Sequence, residues 1–154
     1  MLEQAVSCME RGLQLCIKHS LHSEKKGSID LFPSVLGRRQ YGYGEMLGRL
    51  YGLTHNEEVQ RRALQTFKDS AESFQKVNLV SRVAECCWKV ARTYDALGEH
   101  LKAAENFDLA SDNYKRAVEK IPQLKDLYQD HALYMQAWRE IEKARHDHDR
   151  QEYG

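Results

Sequence analysis

The strongest structural signal in the chain is the stretch CWKVARTYDALGEHLKAAENF at residues 87–107. Apolar side chains recur there at steps of three and four on both sides of Gly98, which is the spacing of one face of an α-helix. Glycine readily adopts the left-handed backbone conformation that ends a helix. The run Ala103-x3-Phe107 then opens a second segment with helical spacing. The stretch therefore predicts two helices joined by a tight turn.

Similar sequence patterns recur in the chain at a separation of forty residues. The recurring pairs are Ala63-x3-Phe67 with Ala103-x3-Phe107, and Leu47-x2-Leu50-Tyr51 with Cys87-x2-Val90-Ala91. A fixed period of this length indicates a helical repeat protein, in which each unit buries its apolar face against its neighbours. Proteins of this class usually bind other proteins.

The unit Cys87-x2-Val90-Ala91-x2-Tyr94, Gly98, Ala103-x3-Phe107-x2-Ala110 is similar to the tetratricopeptide pattern W-x2-L-G-x2-Y followed by A-x3-F. The resemblance covers residues 44–154, and the long second helix resembles the SNAP-like branch of that family. It implies an all-α, right-handed α-α superhelix of about three antiparallel helix pairs. It also implies a groove that is lined by the first helix of each pair and that accepts a peptide.

We expect one TPR-like domain over residues 1–154, divided into a helix and linker at 1–33 and helix-pair units at 43–80, 81–121 and 122–154, the last one truncated. Six helices are expected and no strand, because no stretch alternates with period two. Five glycines between Ser34 and Leu53 restrict the second helix to about residues 43–53, with a short or broken helical piece before it. Thr54-x-x-Glu57 has the form of a capping box that begins the third helix.

Composition argues against several classes of protein. Lys plus Arg and Asp plus Glu both number 23, so the net charge is zero and a general affinity for nucleic acid is not expected. No stretch approaches the roughly 18 apolar residues of a membrane span. Together with the acidic residues in the first helix, this predicts a cytoplasmic protein whose four cysteines are reduced.

The first helix of the best repeat unit supplies the candidate partner-binding residues. Glu85, Trp88, Arg92 and Asp95 share a stripe on the face that Val90, Ala91 and Tyr94 do not use. Tryptophan and arginine are enriched at binding hot spots. The alternative for Trp88 is that its ring packs against the N-terminal helix.

Neither a metal, nor a cofactor, nor an enzyme activity is expected. Cys16-x2-His19-x2-His22 has ligand-type residues, but a core cysteine beside histidines at a helix C-terminus explains it better. The run 145–150, RHDHDR, is interpreted as a solvated helix end. No nucleophile or acid–base pair stands out, since the residues that recur are those that pack helices.

The sequence therefore favours a protein-interaction module that binds a peptide or partner helix. The alternative is a structural or oligomerisation segment of a longer array, in which case a homodimer is expected. A helical enzyme or ligand-binding bundle ranks third.

Overall fold

A computed structural model describes residues 2–25 and 32–153, and it describes side chains within 2–18 and 32–151. These residues form six α-helices and no strand: α1 Leu2–Lys25, α2 Phe32–Thr54, α3 Glu57–Lys76, α4 Val80–Ala96, α5 His100–Lys120 and α6 Lys125–Tyr153. They group into two compact units, Met1–Leu79 and Val80–Gly154. The all-helical prediction and the number of helices are confirmed.

The helix α2 is longer than its sequence predicts. It begins at Phe32 and continues without a break through all five glycines to Thr54. The expectation of a helix limited to residues 43–53 was wrong, because the glycines are used for packing. Glycine weakens a helix by about 0.5–1 kcal/mol relative to alanine, and contacts with α3 offset that loss.

Two of these glycines form notches that accept aromatic rings of α3. A Cβ atom on Gly44 would lie 2.7 Å from Cε1 of Phe67, and one on Gly37 would lie 2.9 Å from Cε1 of Phe74. Both phenylalanines are almost fully buried. Gly48, in contrast, has nothing within 4 Å of its hypothetical Cβ. The glycines of α2 therefore differ in role, and only some of them are needed for close approach.

Buried hydroxyl groups fix the same interface between α2 and α3. The Ser70 hydroxyl donates a hydrogen bond of 2.6 Å to the carbonyl oxygen of Gly37, and the Ser73 hydroxyl donates one of 2.6 Å to Oε1 of Gln40. Both serines are buried. These bonds satisfy polar groups that would otherwise be desolvated without a partner.

The N-terminus of α3 is capped two residues later than the capping-box prediction. Asn56 is the N-cap, and its side-chain oxygen accepts a hydrogen bond of 3.0 Å from the backbone N–H of Glu58. Thr54 still belongs to α2, where its hydroxyl donates to the carbonyl of Leu50. The predicted Thr54 cap was wrong because His55 takes a positive φ of 52° and turns the chain before Asn56.

In the C-terminal unit, α5 packs against both α4 and α6. Gly98 has a φ of 76° and makes the turn between α4 and α5, as its position predicts. Pro122 opens a 3-10 turn at Pro122–Leu124 that leads into α6. The helix α6 is one uninterrupted element of 29 residues. The residues after Lys143 therefore continue α6 and do not form a separate second helix.

The forty-residue period is reproduced in the burial pattern. Positions separated by forty residues are buried to the same degree in the two units, namely Leu47 and Cys87, Ala63 and Ala103, and Phe67 and Phe107. The correspondence is partial, because Leu50 and Tyr51 are half-buried whereas Val90 and Ala91 are buried. No helix in the described residues has an apolar stretch long enough to span a bilayer.

Candidate binding groove in the C-terminal unit

Three of the four predicted partner-binding residues line one surface groove. Trp88, Arg92 and Asp95 form its α4 wall, and the groove encloses about 410 Å³. Glu85 does not line it; its carboxylate lies 3.1 Å from the guanidinium of Arg82 on the surface of α4. Because the groove lies wholly in the C-terminal unit, its Trp88 wall needs no contribution from α1.

The floor and the opposite wall come from residues that the sequence did not single out as binding residues. Phe107 of α5 lies at the floor, and Tyr134 and Trp138 of α6 form the second wall. The sequence assigned Tyr134 and Trp138 to the apolar stripe of the sixth helix. The forty-residue period could not have assigned them to the groove, because Trp138 corresponds to Gly98 in the turn after α4 and Tyr134 corresponds to Tyr94, which does not line the groove.

Aromatic contacts hold the second wall in place. The Trp138 ring stacks on Phe107 with centroids 5.9 Å apart and an interplanar angle of 19°. Tyr134 meets the same indole edge-on, with centroids 6.2 Å apart. Offset-stacked and edge-to-face pairs of this kind add about 0.5–1.5 kcal/mol beyond their area burial. These ring contacts join the second wall to the floor of the groove.

The charge that the groove offers is positive. The guanidinium of Arg92 lies over the Trp88 ring at 5.3 Å from its centroid, and Lys89 lies over the same ring at 5.1 Å. Among the residues that the structure describes, no carboxylate forms an ion pair with Arg92. Asp95, in contrast, is bound to Arg145 at 2.8 Å. Arg92 is therefore the charged group that remains for a ligand.

A compact charged cluster adjoins the groove through Asp95. Nδ1 of His100 lies 2.8 Å from Oε2 of Glu142 and 3.2 Å from Oδ1 of Asp95. Arg145 contacts the other oxygen of Glu142 at 2.9 Å, and Asp149 lies 3.5 Å from Nε2 of His100. Glu142 is completely buried. Burial and the neighbouring Asp95 raise the pKa of Glu142, while His100 and Arg145 oppose that rise.

Residues 145–150 lie near the end of α6 and none of them is buried, in agreement with the interpretation as a solvated helix end, but Arg145 and Asp149 also belong to this cluster. Glu142, Arg145 and Asp149 lie at steps of three and four, so the long helix α6 presents them on one side. That side faces the start of α5, where His100 lies. The sequence could not show this because it did not reveal that α6 continues unbroken past Lys143.

The other candidate ligand set, Cys16, His19 and His22, lies partly outside the described residues. Cys16 is buried, and its burial raises the pKa of the thiol while nearby Arg39 lowers it. The side chains of His19 and His22 lie outside the described residues. Cys86 and Cys87 are buried core residues.

Searches against protein-family models, curated proteins and solved structures returned no match for this chain.

Proposed function

We propose that this chain is a TPR-like protein-interaction module that binds a peptide or partner helix in the groove between α4 and α6. The observation that carries the proposal is the groove itself, because aromatic rings converge there with an arginine that pairs with no carboxylate of the described residues. Aromatic side chains and arginine are the residue types that dominate binding hot spots. The tetratricopeptide resemblance of residues 84–117 supports the same use of the first helix.

The groove favours a segment with a large apolar side chain next to a carboxylate. The apolar side chain would replace water over Phe107, Tyr134 and Trp138, and Tyr134 is 54% exposed without a ligand. The carboxylate would pair with Arg92, whose planar guanidinium suits bidentate recognition. An acidic, aromatic-containing peptide is therefore the expected occupant.

Intrinsic fluorescence tests this proposal directly. The chain has two tryptophans, and both line the groove. Peptides selected from a random library on the wild-type protein should share an apolar residue beside Asp or Glu, and they should change the tryptophan emission. We expect Arg92→Glu and Tyr134→Ala each to weaken their binding by about tenfold, which corresponds to about 1.4 kcal/mol.

Matched controls come from exposed residues that do not line the groove. Arg116→Glu reverses an exposed charge on α5, and Leu133→Ala removes an exposed apolar side chain from α6. Both variants should bind the selected peptides as the wild type does. Equal loss of binding in Arg92→Glu and Arg116→Glu, or a selection without acidic residues, would contradict the proposal.

A second observation favours the alternative role in oligomerisation. Leu127, Tyr134 and Ile141 are seven residues apart on α6 and are 49%, 54% and 40% exposed. A spacing of seven places them along one side of the helix, where a further helix or a second copy would cover them. Light scattering that shows a dimer in the wild type and a monomer in Leu127→Glu would support this role over peptide binding.

A further inference from the structure

The cluster beside the groove has the composition of a metal site. One imidazole nitrogen of His100 and one carboxylate oxygen each from Asp95 and Glu142 all lie within 4.8 Å of one another. The three residues come from the end of α4, the start of α5 and the middle of α6. The folded unit brings them together, and the complete burial of Glu142 distinguishes the cluster from a group of surface acids.

We propose that His100, Asp95 and Glu142 bind a divalent transition-metal ion of the Zn²⁺ type. Imidazole suits Zn²⁺, Co²⁺ and Ni²⁺, whereas Mg²⁺ and Ca²⁺ prefer all-oxygen sites. Nδ1 of His100 and one oxygen of each carboxylate supply three ligands. Three protein ligands leave a fourth position for water, as in open zinc sites. This inference does not rest on peptide binding.

The charge of the cluster is suited to a dication. Three carboxylates, those of Asp95, Glu142 and Asp149, surround His100, and Arg145 is the guanidinium that pairs with two of them. With a neutral imidazole, this leaves an excess of two negative charges. Excess charge near a buried carboxylate is unfavourable, and a bound dication would neutralise it.

The observed distances require little rearrangement. In a tetrahedral site with bonds of about 2.0–2.1 Å, neighbouring ligand atoms are about 3.3 Å apart. The imidazole nitrogen now lies 2.8 Å from Glu142 and 3.2 Å from Asp95, so the ligands need to separate by only a few tenths of an ångström. Arg145 can keep its contact with Oε1 of Glu142, because Oε2 is the oxygen that faces His100. Its 2.8 Å contact with Asp95 uses Oδ1, the oxygen that also faces His100, so metal binding requires Arg145 to move away from that oxygen or Asp95 to bind through its other oxygen.

Asp149 occupies the place of an outer-shell partner. Its Oδ2 lies 3.5 Å from Nε2 of His100, the ring nitrogen that does not face the proposed ion. Metal-bound histidines commonly donate this second N–H to a carboxylate, which fixes the tautomer and makes the ligating nitrogen more basic. A carboxylate on Nε2 therefore favours Nδ1 as the ligand.

Titration of metal-free protein with Zn²⁺ by calorimetry, and with Co²⁺ by visible absorption, tests the site. We expect one equivalent to bind in the wild type. His100→Gln should weaken Zn²⁺ binding by more than tenfold and abolish the Co²⁺ absorption of a low-symmetry site. Asp149→Asn, which alters a half-exposed side chain, should weaken it by about tenfold.

His148→Gln is the matched control, because it removes an exposed imidazole from the same helix. It should bind Zn²⁺ as tightly as the wild type. Circular dichroism establishes that each variant retains its helix content, and Asp149→Asn remains informative if His100→Gln does not fold. The proposal is overturned if the wild type binds no Zn²⁺, or if the folded variants at positions 100 and 149 bind it as tightly as His148→Gln does.

Discussion

Replacement of Gly44 by alanine should destabilise the protein, although alanine is the better helix former. The new Cβ would lie 2.7 Å from Cε1 and 2.9 Å from two further ring atoms of Phe67, against 3.4–4 Å for ordinary van der Waals contact. Phe67 is 3% exposed, and its ring is also in edge contact with Tyr41 at 5.6 Å. The ring therefore cannot move aside without disturbing its other neighbours.

The magnitude follows from two opposing terms. Overpacking of a core by one methyl group costs about 1–3 kcal/mol, and the helix preference of alanine over glycine recovers about 0.5–1 kcal/mol. We expect Gly44→Ala to lower the free energy of unfolding by about 1–2 kcal/mol. Gly48→Ala is the matched control in the same helix, since nothing lies within 4 Å of its Cβ position. It should raise the free energy of unfolding by about 0.5–1 kcal/mol.

Urea unfolding followed by far-UV circular dichroism measures both effects. The midpoints should move in opposite directions while the dependence on urea stays the same, because neither change alters the surface exposed on unfolding by much. If Gly44→Ala proved as stable as Gly48→Ala, the close approach of α2 and α3 would be wrong. Helix propensity alone would then explain both variants.

Three further changes probe separate features. Asn56→Ala should lower the free energy of unfolding by about 1 kcal/mol, because it removes the α3 cap, and Thr54→Ala should lower it by less. Thermal unfolding measures both variants, and the reverse order of stability would restore the capping-box prediction. Ser70→Ala should cost about 1 kcal/mol by removing a buried hydrogen bond to a carbonyl oxygen of α2, measurable by urea unfolding. Iodoacetamide should alkylate exposed Cys8 in the native protein, whereas Cys87 should stay unmodified until the protein unfolds, because it is buried and burial raises its pKa to about 12; mass spectrometry of the native protein decides this.

Local spacing was sufficient to predict most of the helices. The end of α4 at Gly98 and the stop of α5 before Pro122 depend on backbone preferences of single residues, and both lie where they were expected. The extent of α2 could not be predicted in the same way. Its glycines weaken the helix locally, and what offsets this is a set of rings about thirty residues away in sequence, which propensity does not register.

The groove and the charged cluster, too, could be predicted only in part from the sequence. Trp88, Arg92 and Asp95 were predictable because one helix periodicity places them together. Predicting the places of Trp138 and Glu142 required knowledge of which side of α6 faces α4 and α5. In a sequence, a buried glutamate looks the same as a solvated one, and only the packing of three helices distinguishes them.

Asp95 lines the groove and also belongs to the charged cluster. Its carboxylate therefore experiences charges on both sides, and a molecule bound on one side changes the electrostatic field on the other. Thermodynamic linkage makes such an effect reciprocal: the factor by which a cation alters peptide affinity equals the factor by which the peptide alters cation affinity. If both proposed sites bind their ligands, a single aspartate at the end of α4 makes the two binding events dependent on each other.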